Sequence, residues 1–104
     1  MKKIINNKRY NTDTATEIAS FHNGLSYTDF HHLEETLYQT PNGNWFLVGG
    51  GGPMSKYADR SGNMTTGQSN VFTVLSTDEA YDWLERHGET EALEQYFSDN
   101  IENA

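Results

Sequence analysis

Chemistry at neutral pH needs side chains that hold a proton, a metal ion or a phosphate, and three stretches of this chain carry such groups. The first is "FHHLEE", Phe30 to Glu35. His31 and His32 are sequence neighbours, so on a strand they point to opposite faces and cannot share one ion; the same holds for Glu34 and Glu35. A zinc helix would show His-Glu-x-x-His, and a calcium loop would show alternating Asp or Asn, a glycine and a closing Glu. Neither pattern occurs, so no metal ligand set is expected and the histidines read as hydrogen-bonding groups at a strand entrance. The second stretch is "FLVGGGGPMSKY", Phe46 to Tyr57. A phosphate cradle needs glycines that let backbone N–H groups approach the anion, with a helix starting directly behind them. Here Pro53-Met54 intervenes, Ser55-Lys56 stands in inverted order, and the unbroken run lacks dinucleotide-fingerprint spacing. The run reads instead as a backbone device that bends or bulges a strand, with Pro53 ending its hydrogen bonding.

The third stretch is acidic. The chain holds 7 Lys+Arg against 15 Asp+Glu, a formal charge of −8, and the balance is uneven. Lys2, Lys3, Lys8 and Arg9 sit together at the start, whereas residues 78–102 hold nine carboxylates and Arg86 alone as a base. Such density repels phosphate backbones, which argues against direct nucleic-acid binding, and attracts basic protein surfaces. Asp78, Asp82 and Glu85, at i, i+4 and i+7, line the helix face opposite Trp83 and Leu84. Solvation explains such a face by itself. A sharper meaning is a negative stripe that grips a basic groove, continued by Glu89, Glu91 and Glu94, with Tyr57 as an aromatic contact from a neighbouring loop. These seven residues are the candidate partner-binding set.

Catalysis finds less support. The chain has no cysteine and no Gly-x-Ser-x-Gly elbow, and its acids are too numerous for any pair to stand out. No catalytic residue and no cofactor are assigned. An enzyme built on Glu34, Glu35 or the histidines would have to gather them in a concave pocket with perturbed protonation. With no long apolar run, no signal-like segment and no cysteine, a cytoplasmic protein without membrane contact is expected.

The positioning elements read as one α+β domain over residues 1–104. "KKIINNKRYN" is a hairpin turning at Asn6-Asn7. In "NTDTATEIASFH", Thr14-x-x-Glu17 has capping-box spacing, and Ala15, Ile18, Ala19 and His22 recur at helical intervals, which predicts an N-terminal helix. "LEETLYQTPNGNWFLV" is a central hairpin around Asn42-Gly43. A two-residue loop there would set Tyr38 opposite Leu47 and Leu37 opposite Val48. One face would carry Tyr38, Trp45 and Leu47; the other would carry Leu33, Leu37, Phe46 and Val48. Residues 54–70 read as a long polar loop with a helical turn near Ser55 to Arg60. "VFTVL", 71–75, is a further strand. Ser76-x-x-Glu79 caps a helix carrying Ala80, Trp83, Leu84 and His87 and stopped by Gly88; a second helix follows from Thr90 with Leu93, Tyr96 and Phe97. Residues 98–104 are expected to fray. The outcome is a small, mainly antiparallel sheet packed by one N-terminal helix and a C-terminal helical pair.

Taken together, "KKIINNKRYNTDTA", "EETLYQTPNGNWFLVGGGGPMSKYA" and "VLSTDEAYDWLERH" resemble a group of small acidic proteins of phages and mobile elements in Gram-positive bacteria, some of them similar to anti-CRISPR inhibitors. The resemblance spans most of the chain and rests on architectural residues: Lys-Arg-Tyr-Asn-Thr-x-Thr-Ala, Glu-Glu-Thr-Leu-Tyr and Gly-Gly-Pro. It implies a non-enzymatic inhibitor in the bacterial host cytoplasm whose partner is a CRISPR effector nuclease or its ribonucleoprotein complex. The group's pattern reads Gly-Glu-Gly-Gly-Pro where this chain has Gly50, so a contact made through that acid would be missing here. Two other roles remain open at this point, a phage scaffold or oligomerisation module and the small enzyme described above.

Overall fold

The computed structural model describes residues 1–104. A first hairpin, β1 (Lys2–Ile5) and β2 (Lys8–Asn11), is followed by a four-stranded antiparallel sheet. That sheet contains β3 (Thr16–His22), β4 (Leu33–Gln39), β5 (Trp45–Gly51) and β8 (Gln68–Leu75), in the order β3-β4-β5-β8. A small hairpin, β6 (Asp59–Ser61) with β7 (Met64–Thr66), interrupts the polar stretch before β8. Two helices, α1 (Thr77–Arg86) and α2 (Thr90–Tyr96), close the chain, and a 3-10 turn over Ser98–Asn100 precedes the tail.

Where turn chemistry is local, expectation and structure agree. Asn6 and Asn7 both take positive φ, 51° and 66°, as a type I′ hairpin turn requires. At the start of α1 the Ser76 side chain accepts from the Glu79 N–H, and the Glu79 carboxylate accepts from the Ser76 N–H, so the capping box is complete. At its end the Glu89 N–H bonds the Leu84 carbonyl and the Gly88 N–H bonds the Glu85 carbonyl, with Gly88 at φ 65°. This is a Schellman stop.

Three expectations are corrected. Residues 16–22 form strand β3, not an N-terminal helix. Thr14, Thr16 and Ile18 are poor helix formers, and Ala19 and Phe21 meet the sheet's buried face while Ser20 and His22 face outward; pairing with β4 therefore outweighs a marginal helical pattern. A bulge between Glu17 and Ala19 also blurred the two-residue alternation. The central hairpin turns through three residues, Pro41 to Gly43, not two. The Gly43 N–H bonds the Thr40 carbonyl (2.9 Å), the Thr40 N–H bonds the Asn44 carbonyl (2.8 Å), and Gly43 takes φ 86°. Pro41 favours a type I turn with a left-handed residue after it, which shifts the register by one. Tyr38 therefore pairs with Phe46 and Leu37 with Leu47. The third correction concerns 54–70, which is no featureless loop: it holds the β6–β7 hairpin, and β8 begins at Gln68.

The corrected register sorts the core. Leu37, Trp45 and Leu47 face the helices and pack with Ala80, Trp83, Leu84, Ala92 and Phe97. Tyr10, Phe46 and Val48 build a second cluster on the opposite face, roofed by the N-terminal hairpin. Trp83, Phe46, Leu37 and Leu84 are the largest fully enclosed side chains, each contributing about 1.5–3 kcal/mol through burial. β5 is buried along nearly its whole length, as a central strand covered on both faces must be.

Candidate functional site

Glu35 is the one carboxylate inside the protein, and its position follows from period two. In Leu33, Glu35 and Leu37 every second residue of β4 points to the helix side, so Glu35 enters that apolar face. Opposite it in the register stands Gly49, which contributes no side chain. The Tyr57 ring fills the vacant space: a Cβ added at Gly49 would overlap the Tyr57 hydroxyl and ring carbon Cζ. Lying there, the Tyr57 hydroxyl donates to Glu35 Oε2, the Trp83 indole Nε1 donates to Oε1 at 3.1 Å, and Lys56 Nζ stands 2.6 Å from Oε2.

Three donors therefore converge on one buried carboxylate. Burial pushes its pKa up, but hydrogen bonds from Lys56, Tyr57 and Trp83, with the charge of Lys56, outweigh burial and hold Glu35 below the ordinary carboxylate value. Burial and the neighbouring carboxylate raise the Tyr57 hydroxyl far above its usual pKa, so it stays a protonated donor. Such a carboxylate is held ionised, with three of its roughly four acceptor positions engaged. The arrangement ties the segment after the glycine run to β4 and to α1.

The remaining glycines act the same way. A Cβ at Gly51 would press on Ser55 and the His32 carbonyl, one at Gly52 on the carbonyls of Phe30 and Asp29, and one at Gly50 on Gln68 and Ser69 at 2.8–2.9 Å. The run is a floor on which three chain segments lie, and a bulge between Gly49 and Gly51 carries the bend.

Beside the carboxylate a groove of about 680 Å³ opens between β8 and α1. Its floor includes Leu47, Val71, Leu75 and Trp83; Lys56 and Arg86 border it, and Glu79, Asp82 and Glu85 line the α1 side. Asp78, Asp82, Glu85, Glu91 and Glu94 are exposed and Glu89 is half-buried. None of these six carboxylates forms an ion pair within the chain, whose three salt bridges are Met1–Asp13, His32–Glu34 and Lys56–Glu35. Of the predicted contact set, Asp82, Glu85 and Tyr57 thus meet at the groove, while Asp78, Glu89, Glu91 and Glu94 do not line it. Tyr57 is the buried member: it lines the groove while its hydroxyl is committed to Glu35.

The histidines occupy a turn ahead of β4, not the strand itself. His31 is exposed, while His32 is buried with Nδ1 3.3 Å from the Leu25 carbonyl and Nε2 3.7 Å from Glu34 Oε2. His22 and Tyr27 flank its ring, and no three His, Asp or Glu side chains gather as a metal site. His87 packs between Phe21, tilted against it, and Trp83, edge-on to it, where burial pushes its pKa down. Sequence reasoning overlooked Lys56 and the polar use of Trp83. The available signal was a glutamate standing between Leu33 and Leu37 in the inward register of β4.

No protein-family model, curated protein or solved structure matches the chain. No helix is long and apolar enough to cross a membrane.

Proposed function

We propose that the protein is a non-enzymatic inhibitor that binds a basic protein surface through the acids of its C-terminal helices. Among basic surfaces, the one suggested by the resemblance in sequence is the nucleic-acid path of a CRISPR effector nuclease, which the bound protein would occupy or hold inactive. The observation that carries the reading is the unpaired state of the acids: Asp82 and Glu85 line an open groove, and neither they nor Asp78, Glu89, Glu91 and Glu94 are neutralised within the chain. Carboxylates left free in this density favour encounter with Lys- and Arg-rich surfaces. Glu35 lends further support, because the carboxylate best enclosed for chemistry is consumed by three internal donors.

The test replaces Asp82, Glu85 and Glu89 with lysine, three reversals of two units each that move the formal charge from −8 to −2. Expected is loss of inhibition in a nuclease cleavage assay, with an unchanged far-UV circular dichroism spectrum. Retained inhibition removes the acidic surface as the contact.

A scaffold or oligomerisation role has one observation in its favour. Phe30 and Met54, joined by a backbone hydrogen bond, remain 66% and 57% exposed beside Tyr27 at 75%. A concentration-dependent dimer in sedimentation, insensitive to salt, would favour that role.

A further inference from the structure

Natural sheets guard their edges with charge, proline, short strands or a covering element, because an edge strand offers a row of unpaired backbone groups. β8 lacks the first three defences. Its eight residues, "QSNVFTVL", contain no charge and no proline, and the irregularity in its pairing lies at the Gln68 end, leaving Val71 to Leu75 in unbroken register with β5. β5 pairs with one side of β8; no strand pairs with the other, and no backbone hydrogen bond from a turn, loop or cap reaches residues 68–75. The groove runs along this strand, with Val71, Thr73 and Leu75 on one bank and, on the α1 bank, Glu79, Asp82 and Glu85 beside the single base Arg86; Asp82 and Glu85 are the acids there that neither cap the helix nor form an ion pair.

We propose that this edge accepts an extended segment of a partner protein as a fifth strand, with Lys or Arg at alternate positions. The inference rests on the acidic-surface reading above and names the part of the partner that reading leaves open. A strand added beside β8 would lie about 4.8 Å away, and its side chains would alternate between the two faces. Those on the helix side would reach the groove's unpaired carboxylates. Those on the other side would cover Phe72 and Val74, the latter 40% exposed. The occupant is therefore a segment alternating basic with apolar or β-branched residues, its backbone supplying affinity and its basic side chains the selectivity. A second copy of this chain fits less well, because pairing β8 with β8 would bring two α1 acidic rows of the same sign to one sheet.

The test uses the full chain, isotope-labelled for NMR, and three seven-residue peptides: alternating Lys and Val, the same peptide N-methylated at alternate amides, and alternating Glu and Val. Expected is binding of the Lys/Val peptide with new exchange protection of amides within Val71–Leu75, a loss of about tenfold or more in affinity on N-methylation, and no binding of the Glu/Val peptide. Equal binding of the N-methylated peptide, shifts that spare β8, no binding of the Lys/Val peptide, or a β8-paired homodimer without peptide would each overturn the proposal. Failure here with nuclease inhibition still dependent on Asp82, Glu85 and Glu89 would remove only the added strand. Peptide binding without inhibition of any nuclease would remove only the inhibitor reading.

Discussion

Gly49 lies within β5 and outside the positive-φ region, so replacing it with alanine poses no backbone difficulty, and its cost is set by space. The new Cβ would overlap the Tyr57 ring, which must leave Gly49 and release its hydroxyl from Glu35. Losing a hydrogen bond to a charged group costs about 1.5–3 kcal/mol. Displacing a packed side chain adds about 1–3 kcal/mol. Against this, Gly→Ala reduces unfolded-chain freedom and returns about 0.4–1 kcal/mol. The expected net destabilisation is about 2–5 kcal/mol, a fall of roughly 8 °C or more in Tm for a domain of this size. Thermal unfolding followed by far-UV circular dichroism measures it. Repeating Gly49→Ala in a Tyr57→Ala background isolates the cause: with the ring gone, the alanine should cost nothing or stabilise slightly, giving a coupling energy close to the whole single-mutant effect. Equal destabilisation in both backgrounds would refute the account of the glycine run as a floor for Tyr57.

Two further perturbations separate space, backbone and charge. Gly43→Ala meets no neighbouring atom but imposes φ 86° on a residue with a side chain, so about 1 kcal/mol should be lost through the backbone alone, read as a small fall in the urea midpoint. Because Glu35 has a folded pKa below its unfolded value of 4.5, the folded state binds fewer protons there; its contribution is present above pH 4.5 and lost as pH falls through the folded value. Glu35→Gln should thus be less stable than the natural chain at neutral pH, and the gap should close on acidification below pH 4.5 in urea titrations; a gap constant with pH would show that the charged form adds nothing.

How much of this was legible depended on how far each signal reached along the chain. The Ser76 capping box, the Gly88 stop and the Asn6-Asn7 turn are decided within a few residues, and all three formed as expected. The central hairpin was recognisable, but its register hung on whether Pro41 lay in the loop or the strand, and one residue of slip regrouped Tyr38 and Leu37 with the wrong partners across the sheet. Residues 16–22 carried two patterns at once. Spacing favoured a helix, and only the non-local partner β4 selected the strand.

The candidate site shows the same division. The acidity of α1 is plain in the sequence, and Asp82 and Glu85 do line the groove. That the groove exists depends on β8 and α1 meeting in space, which no local pattern contains. Tyr57 lines the groove as well, but the placement of its ring arises from Gly49, eight residues earlier, leaving room for it over Glu35. The glycine run could be read as a bend from its own residues; its function as a packing floor required knowing which segments cross it.

The most direct test of the inhibitor reading is a DNA-cleavage assay with purified CRISPR nucleases of several types, in which the protein is added either before or after guide and target are loaded. The account predicts that one type is inhibited when the protein is added before the target; cleavage that proceeds once the target is bound identifies occupation of the nucleic-acid path, and inhibition in both orders identifies the inactive hold. Uninhibited cleavage by every type, whatever the order of addition, would contradict it.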